Sequence, residues 1–385
     1  MYINPAIPKG LNMKQIFEKT TINGMTLANR LVRSATWEGM CEADGRPTAK
    51  LAAYYCDLAS GGVGLIITGY TFVRPDGKQL PGKMGIHTDD FAPDMRNLVR
   101  AVHNEGGKIC LQLVHAGGQT DTKTAGRQPL APSAIKVDQF DEETEAMSTK
   151  DIEEIVAAFG DGARRAKEYG FDAVQLHAAH GYLINQFLSP LTNRRTDIYG
   201  GSLGNRCRFL IEVYRRVRSE VGADFPVLAK LNGSDNLEGG LSISDAVYAA
   251  TLLDSEKIDA LEVSGGTPAS GERSPVRLKI HKPEQEAYNL GLAREIKRGV
   301  QCPVMVVGGF RSLEVISRAL RNEGIDYISM ARPFIREPRL VKRWQEGDRS
   351  PARCISCNKC FKPGLKEGGI YCVVEKEEKR KVKRK

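Results

Sequence analysis

From about residue 30 to about residue 335 one pattern recurs: a short apolar run rich in β-branched residues, an amphipathic stretch, then a glycine. The apolar runs read as strands over 31–35, 65–68, 109–114, 173–177, 227–231, 260–264, 304–307 and 327–330. Each is nearly continuous in apolar residues rather than alternating, as expected for a parallel strand covered on both faces. The stretches between them have helical period. The clearest, over 151–169, puts Ile152, Ile155, Val156, Phe159, Ala163 and Ala166 on one face and starts with a capping-box pattern, Ser148-x-x-Asp151. Most of these stretches stop at a glycine (Gly61, Gly106, Gly170, Gly222, Gly299, Gly324), the usual left-handed cap of a helix end.

Eight strand–helix units are the number that closes a (β/α)8 TIM barrel. An open doubly wound sheet is the competitor, but no GxGxxG follows the first strand. The expected fold class is therefore α/β: a (β/α)8 barrel in a single domain, with long βα-loop excursions over 69–90 and 116–149. Residues 1–29 would cap its bottom. The expected division is barrel over 1–350, then a cysteine-rich segment and basic tail over 351–385.

Composition adds limits. The chain has 385 residues, 41% hydrophobic and 27% charged, which suits a globular core. No run approaches the ~20 apolar residues of a membrane span, and MYINPAIPKGLN lacks a secretory apolar region. A soluble, cytoplasmic protein is expected. The net charge is +9, of which residues 375–385, with seven Lys/Arg and three Glu, supply +4. That tail reads as a solvated, frayed end, and no nucleic-acid-binding motif accompanies it.

Nine cysteines are present. Cys41, Cys56, Cys110, Cys207 and Cys302 stand singly and read as core thiols. Cys354, Cys357, Cys360 and Cys372 form a C-x2-C-x2-C-x11-C run. Three thiols in seven residues with a fourth later suit a cubane [4Fe–4S] cluster. Zinc sites more often use two separated CxxC pairs, and zinc, free thiols and a disulfide stay open as alternatives.

In a barrel the chemistry belongs at the C-terminal ends of the strands. Those ends carry Ser34-Ala35-Thr36-Trp37, Thr68-Gly69-Tyr70, Gln112 with His115, then His177, His180 and Tyr182, then Lys230, Ser264-Gly265-Gly266, Gly308-Gly309 and Ala331-Arg332. Two imidazoles can donate hydrogen bonds to an oxygen that becomes negative, and a phenol can give a proton. The plain alternative is two pocket-wall histidines and a packed aromatic. Gly308, Gly309 and Arg332, after strands seven and eight, stand where barrels cradle phosphate, against a tight turn and a surface arginine. Lys230 lies inside an apolar strand, so its ammonium needs an anion or acceptors. A negative ring system would serve, with Gln112 on its polar edge. The alternative for Gln112 is a satisfied core amide.

Five motifs together carry a resemblance: NRLVRSAT (29–36), LQLVHAGGQ (111–119), PLAPSA (129–134), HAAHGYLINQFLSPLTNRRTDIYGGSLGNRCRF (177–209) and VGGF (307–310). With them the chain resembles the old yellow enzyme family of FMN-dependent ene-reductases. Within it, the chain resembles bacterial NADH:flavin oxidoreductases and the barrel half of 2,4-dienoyl-CoA reductases. The resemblance implies FMN, with NADH or NADPH as co-substrate and a small activated alkene as substrate. It puts the substrate-carbonyl pair on His177 and His180 and the proton donor on Tyr182. Flavin contacts fall on Ala35, Thr36, Trp37, Tyr70, Gln112 and Lys230, and the phosphate site on Gly308, Gly309, Ala331 and Arg332. Trp37 departs from the threonine or cysteine that better-known members carry, which bears on flavin potential and pocket volume.

Dienoyl-CoA reductases carry a similar cysteine run, with one more residue between the second and third cysteines. The dinucleotide-binding domains that follow their barrel are not expected in a sequence running to 385. A cluster without an internal donor would need an electron-donor protein, which the basic tail could dock, and relatives are often homo-oligomers. Competing functions are an FMN-dependent dehydrogenase or amine demethylase, an electron-transfer flavoprotein working with a partner, and a zinc hydrolase using HxxH.

Overall fold

The computed structural model describes residues 13–137, 140 and 142–382. Expectations for residues 1–12 and for the last three residues of the basic tail lie outside the described residues.

The eight strands are β1 Leu31–Arg33, β2 Leu65–Ile67, β3 Ile109–Val114, β4 Ala173–Ala178, β5 Val227–Asn232, β6 Ala260–Ser264, β7 Val304–Val307 and β8 Tyr327–Met330. All pair in parallel, each with the next; β8 pairs with β1, and the sheet closes into a barrel. Helices α1 Ala49–Ser60, α2 Ala92–Asn104, α3 Thr149–Glu168, α4 Leu203–Val221, α5 Ile243–Ser255, α6 Leu290–Gly299 and α7 Leu313–Asn322 alternate with the strands. The capping box expected before α3 is present, with Ser148 and Asp151 each holding the other's backbone N–H. Four of the six glycine stops have positive φ. Gly61 does not, because Gly62 takes the left-handed turn (φ 88°), and Gly299 ends α6 inside the helix.

Two cores divide the apolar residues. One lies between strands and helices. The other fills the barrel's lower interior: Val32, Leu65, Ile67, Cys110, Ala173, Leu228, Ala260, Met305 and Tyr327. Ile22, Met25 and Leu27 of an antiparallel hairpin pack into that set from below and plug the bottom. Side chains alternate along a strand, so the next inward positions up are Ser34, Gln112, Gln175, Lys230, Glu262, Val307 and Ser329. The interior thus turns from apolar to largely polar within one strand repeat.

The C-terminal segment packs on the barrel mouth. Arg311 Nη2 donates to Ala352 O and Ala352 N–H donates to Arg311 O, both at 2.8 Å, and Ile370 N–H donates to Glu38 O at 2.8 Å. Gly364 sits against the Trp37 indole, where a Cβ would lie 3.0 Å from the ring. The tail differs from the frayed end expected. Val373–Val382 is helical, stiffened by a Glu375–Lys379 pair (2.9 Å) and tied to buried Arg336 through Glu378 (2.7 Å).

Candidate active site

The polar interior layer is one connected network. Gln112 Nε2 donates to Gln175 Oε1 (2.7 Å), and Gln175 Nε2 donates to Glu262 Oε2 (3.0 Å). Ser34 Oγ donates to Glu262 Oε1 (2.6 Å) and accepts from Lys230 Nζ (2.8 Å). Lys230 Nζ also pairs with Glu262 Oε2 at 3.3 Å. Register explains the pairing, because Lys230 and Glu262 are direct neighbours across β5 and β6. Burial pulls the Lys230 ammonium below its ordinary pKa while Glu262 pushes it back up. Sequence reasoning missed Gln175 and Glu262. The signal was there: each is a polar residue inside an apolar strand, as Lys230 is.

Above this layer a cavity opens. Ala35, Thr36, Trp37, Tyr70, Gln112, His177, His180, Tyr182, Lys230, Gly309, Ala331 and Arg332 all line it. Gly308 does not. Its carbonyl accepts from Tyr288 N–H (3.0 Å), and a Cβ there would stand 3.0 Å from Asn289 N, so it serves the turn while Gly309 faces the cavity. Ser264, Tyr288, Ser329, Ser356 and Phe361 also line the wall, the last two from the C-terminal segment.

His177 lies at the end of β4, beside Lys230 in register. The turn after it forces His180 into the left-handed region (φ 62°), an uncommon conformation for a non-glycine residue. Asn232 Oδ1 holds His180 N–H (3.2 Å), and His180 Nε2 and Ser264 Oγ share a hydrogen bond of 2.7 Å. The two imidazoles meet edge to face with centroids 5.1 Å apart, and His177 lies 4.8 Å from the Tyr182 ring. Burial, reinforced by His180, Lys230 and Lys83, pushes His177 well below the ordinary 6.5. Burial and Lys230 do the same to His180, so both rings are neutral near pH 7. Tyr182 donates to Gln79 Oε1 (2.9 Å), which also accepts from Tyr70 (3.1 Å). Burial raises the Tyr182 phenol well above its ordinary value, so it keeps its proton.

Gln79 and Lys83 come from the first excursion, where no periodicity marks a residue as inward. Lys83 stacks on the Tyr70 ring, its Nζ 3.4 Å from the centroid. His115, expected at this mouth, instead pairs with Asp76 (3.3 Å) and is not part of the cavity wall. Trp37 Nε1 and Ser329 Oγ belong to cavity-lining residues and are buried without a hydrogen-bond partner. Arg332 donates to Arg277 O and Asn358 Oδ1, both at 2.7 Å.

Arg332 also borders a second, smaller pocket lined by Cys354, Cys357, Cys360 and Cys372. All nine thiols are free, so the disulfide alternative is not realised. Among the described residues no group of three or more His, Cys, Asp or Glu is arranged to hold a single metal ion.

The sequence profile of the NADH:flavin oxidoreductase / NADH oxidase family matches residues 15–350. The chain belongs to that family. An NADH oxidase of Thermoanaerobacter brockii is 36% identical over 346 residues, covering 89% of this chain and 52% of that protein. The chain thus spans about half the length of that relative. An NADPH dehydrogenase of Geobacillus sp. is 36% identical over 324 residues, covering 84% of this chain and 91% of the relative. The solved old yellow enzyme homologue from Zymomonas mobilis superposes with a TM-score of 0.75 at 28% identity, covering 88% of this chain and 94% of that one. Family membership and superposition thus agree on an old yellow enzyme barrel. Among its described residues no helix is long and apolar enough to cross a membrane.

Proposed function

We propose that the protein is an FMN-dependent ene-reductase of the cytoplasm, using NADH or NADPH to reduce an alkene conjugated to a carbonyl or thioester. The observation that carries this reading is the convergence of His177, His180 and Tyr182 on one buried cavity, with both imidazoles neutral and the phenol protonated. The cavity suits the cofactor. Trp37 Nε1 and Ser329 Oγ are buried polar atoms that need partners, and a ring system with carbonyl and nitrogen edges or a hydroxylated chain supplies them. Gln112 and Lys230 would face the ring's polar edge, Ala35, Thr36, Trp37 and Tyr70 would flank it, and Gly309, Ala331 and Arg332 would take the phosphate. Bound FMN supplies hydride transfer, from the nicotinamide and then to the β-carbon of the alkene.

The chain's own residues do the rest. His177 and His180 hold the substrate's carbonyl oxygen and stabilise the charge that grows there; one such donor is typically worth about 3 kcal/mol in rate. Being neutral, each imidazole can direct an N–H at the oxygen without surrendering a proton. Tyr182 gives its proton to the α-carbon. Gln79, bonded to both Tyr182 and Tyr70, fixes the phenol's position.

We further propose a [4Fe–4S] cluster on Cys354, Cys357, Cys360 and Cys372. Four unpaired thiols on one pocket wall supply the right donor set, and Arg332 borders both that pocket and the main cavity. A cluster there would handle single electrons, delivered by a donor protein.

The test is anaerobic turnover of purified protein with NAD(P)H and 2-cyclohexenone, alongside FMN content. Cyclohexanone formed in step with NAD(P)H oxidation supports the reading. Protein that cannot be loaded with FMN, or loaded protein that oxidises NAD(P)H but reduces no enone, refutes it.

A further inference from the structure

Two arginines line the main cavity, Arg311 and Arg332, and the fold uses them differently. Arg311 is engaged by the chain itself: its Nη1 donates to Ile280 O (2.9 Å) and its Nη2 to Ala352 O (2.8 Å). Arg332 is 8% exposed, and only its Nη1 is engaged, donating at 2.7 Å to both Arg277 O and Asn358 Oδ1. Among the described residues it has no ion pair, and its Nε and Nη2 have no acceptor. Neither atom is fully buried, so both nitrogens are left for an anion. The helix end that would otherwise serve a phosphate after β7 is occupied, because Glu286 Oε2 accepts from Arg311 N–H (2.7 Å) and Ser312 N–H (3.0 Å) before α7. Arg332 is thus the arginine with N–H groups to spare for a phosphate beside Gly309.

Asn358 belongs to the C-terminal segment, between Cys357 and Cys360, and lines the cysteine pocket rather than the main cavity. Its side chain is bonded at both ends: Oδ1 accepts from Arg332, and Nδ2 donates to Val276 O (3.1 Å). Its neighbour Ser356 lines the main cavity and accepts through its carbonyl from Lys279 N–H (3.2 Å). The cysteine loop is thereby fastened to residues 276–279, whose Arg277 carbonyl is the other acceptor of Arg332. A long, rotamer-rich side chain held in this way is ordered before a ligand arrives, so less freedom is lost on binding. Both acceptors are neutral. They fix the guanidinium without cancelling its charge, whereas a carboxylate in their place would compete with the phosphate.

We propose that Asn358 is a positioning residue for the cofactor's phosphate: it holds Arg332 ready for the anion and makes the cysteine loop part of the flavin site. This rests on the reading of Gly309, Ala331 and Arg332 as the phosphate site. The probes are FMN and riboflavin, which differ only by the phosphate, titrated by quenching of flavin fluorescence into the full chain freed of flavin. The wild type should bind FMN at least about 100-fold tighter than riboflavin, the scale of charge-assisted hydrogen bonds to a phosphate. Arg332→Ala should remove most of that preference. Asn358→Gly takes away the side chain and suits the left-handed backbone at this position (φ 59°). It should lower FMN affinity about tenfold while riboflavin affinity holds within about twofold. On the Arg332→Ala background, Asn358→Gly should change FMN affinity by less than about twofold, because its effect runs through the guanidinium. Circular dichroism checks folding; should Asn358→Gly fail, Asn358→Asp keeps the shape, places a carboxylate against Arg332 and should lower FMN affinity alone in the same way. An FMN preference that Arg332 sets but the Asn358 variants leave intact overturns the proposal, as do equal losses of FMN and riboflavin affinity. If the wild type binds the two flavins alike, the phosphate-site reading falls and the proposal with it.

Discussion

Replacing Glu262 by leucine removes the carboxylate paired with Lys230 and leaves an ammonium that is 2% exposed with one neutral partner, Ser34. Breaking a buried pair from one side typically costs about 3–5 kcal/mol, because the remaining charge is uncompensated. Unfolding entropy of roughly 2.1 cal/mol/K per residue over 385 residues gives about 0.8 kcal/mol/K. The Tm should therefore fall by about 4–6 °C. Removing both charges, with Lys230→Met added, leaves only Gln175 Nε2 and Ser34 Oγ without their acceptor, at about 1 kcal/mol each. The double variant should thus lose about 2 kcal/mol, against about 6–10 kcal/mol for the two one-sided breaks added together, a coupling of about 4 kcal/mol or more. Urea and thermal unfolding followed by circular dichroism measure this, on FMN-free protein so that ligand stabilisation does not enter. Strictly additive single effects, or a Glu262→Leu protein as stable as wild type, would refute the paired interior network.

Tyr182→Phe should slow alkene reduction about 100-fold while leaving oxidation of NAD(P)H in the first half-reaction nearly intact, since general acid catalysis is typically worth that much; stopped-flow measurement of the two halves decides, and equal losses would point to a structural role. His177→Ala and His180→Ala should each weaken binding of a phenol such as 4-hydroxybenzaldehyde while FMN content holds; unchanged phenol affinity in both would remove them from the carbonyl site. Because burial depresses both imidazole pKa values, the unfolded chain binds more protons than the fold below about pH 6.5, so stability should rise with pH through that range and the rise should flatten in a His177→Asn/His180→Asn variant. Protein purified without oxygen should carry about four irons with matching sulfide per chain, and iron-free protein with full ene-reductase activity would reduce the four cysteines to a vestige.

The sequence determined the barrel and the strand ends that carry its chemistry. Eight apolar runs separated by helical periods admit one closed parallel architecture, and strand ends are local features that a linear pattern marks. That is why His177, His180, Tyr182, Gln112 and Lys230 were legible before any geometry. Local conformation was legible too where a side chain meets its own backbone, as at Ser148 and Asp151. What the sequence left undecided depends on closure. A strand buried on both faces reads the same from either side, so only the closed barrel showed that Gln175, Lys230 and Glu262 share the inward phase, and only the parallel register set Glu262 beside Lys230. The excursion and the C-terminal segment have no period to read. Their contribution of Gln79 and Lys83 beneath Tyr70 and Tyr182, and of Phe361 and Gly364 against the cavity and Trp37, was decided by packing between residues tens to hundreds of positions apart, where sequence pattern carries no record of who meets whom.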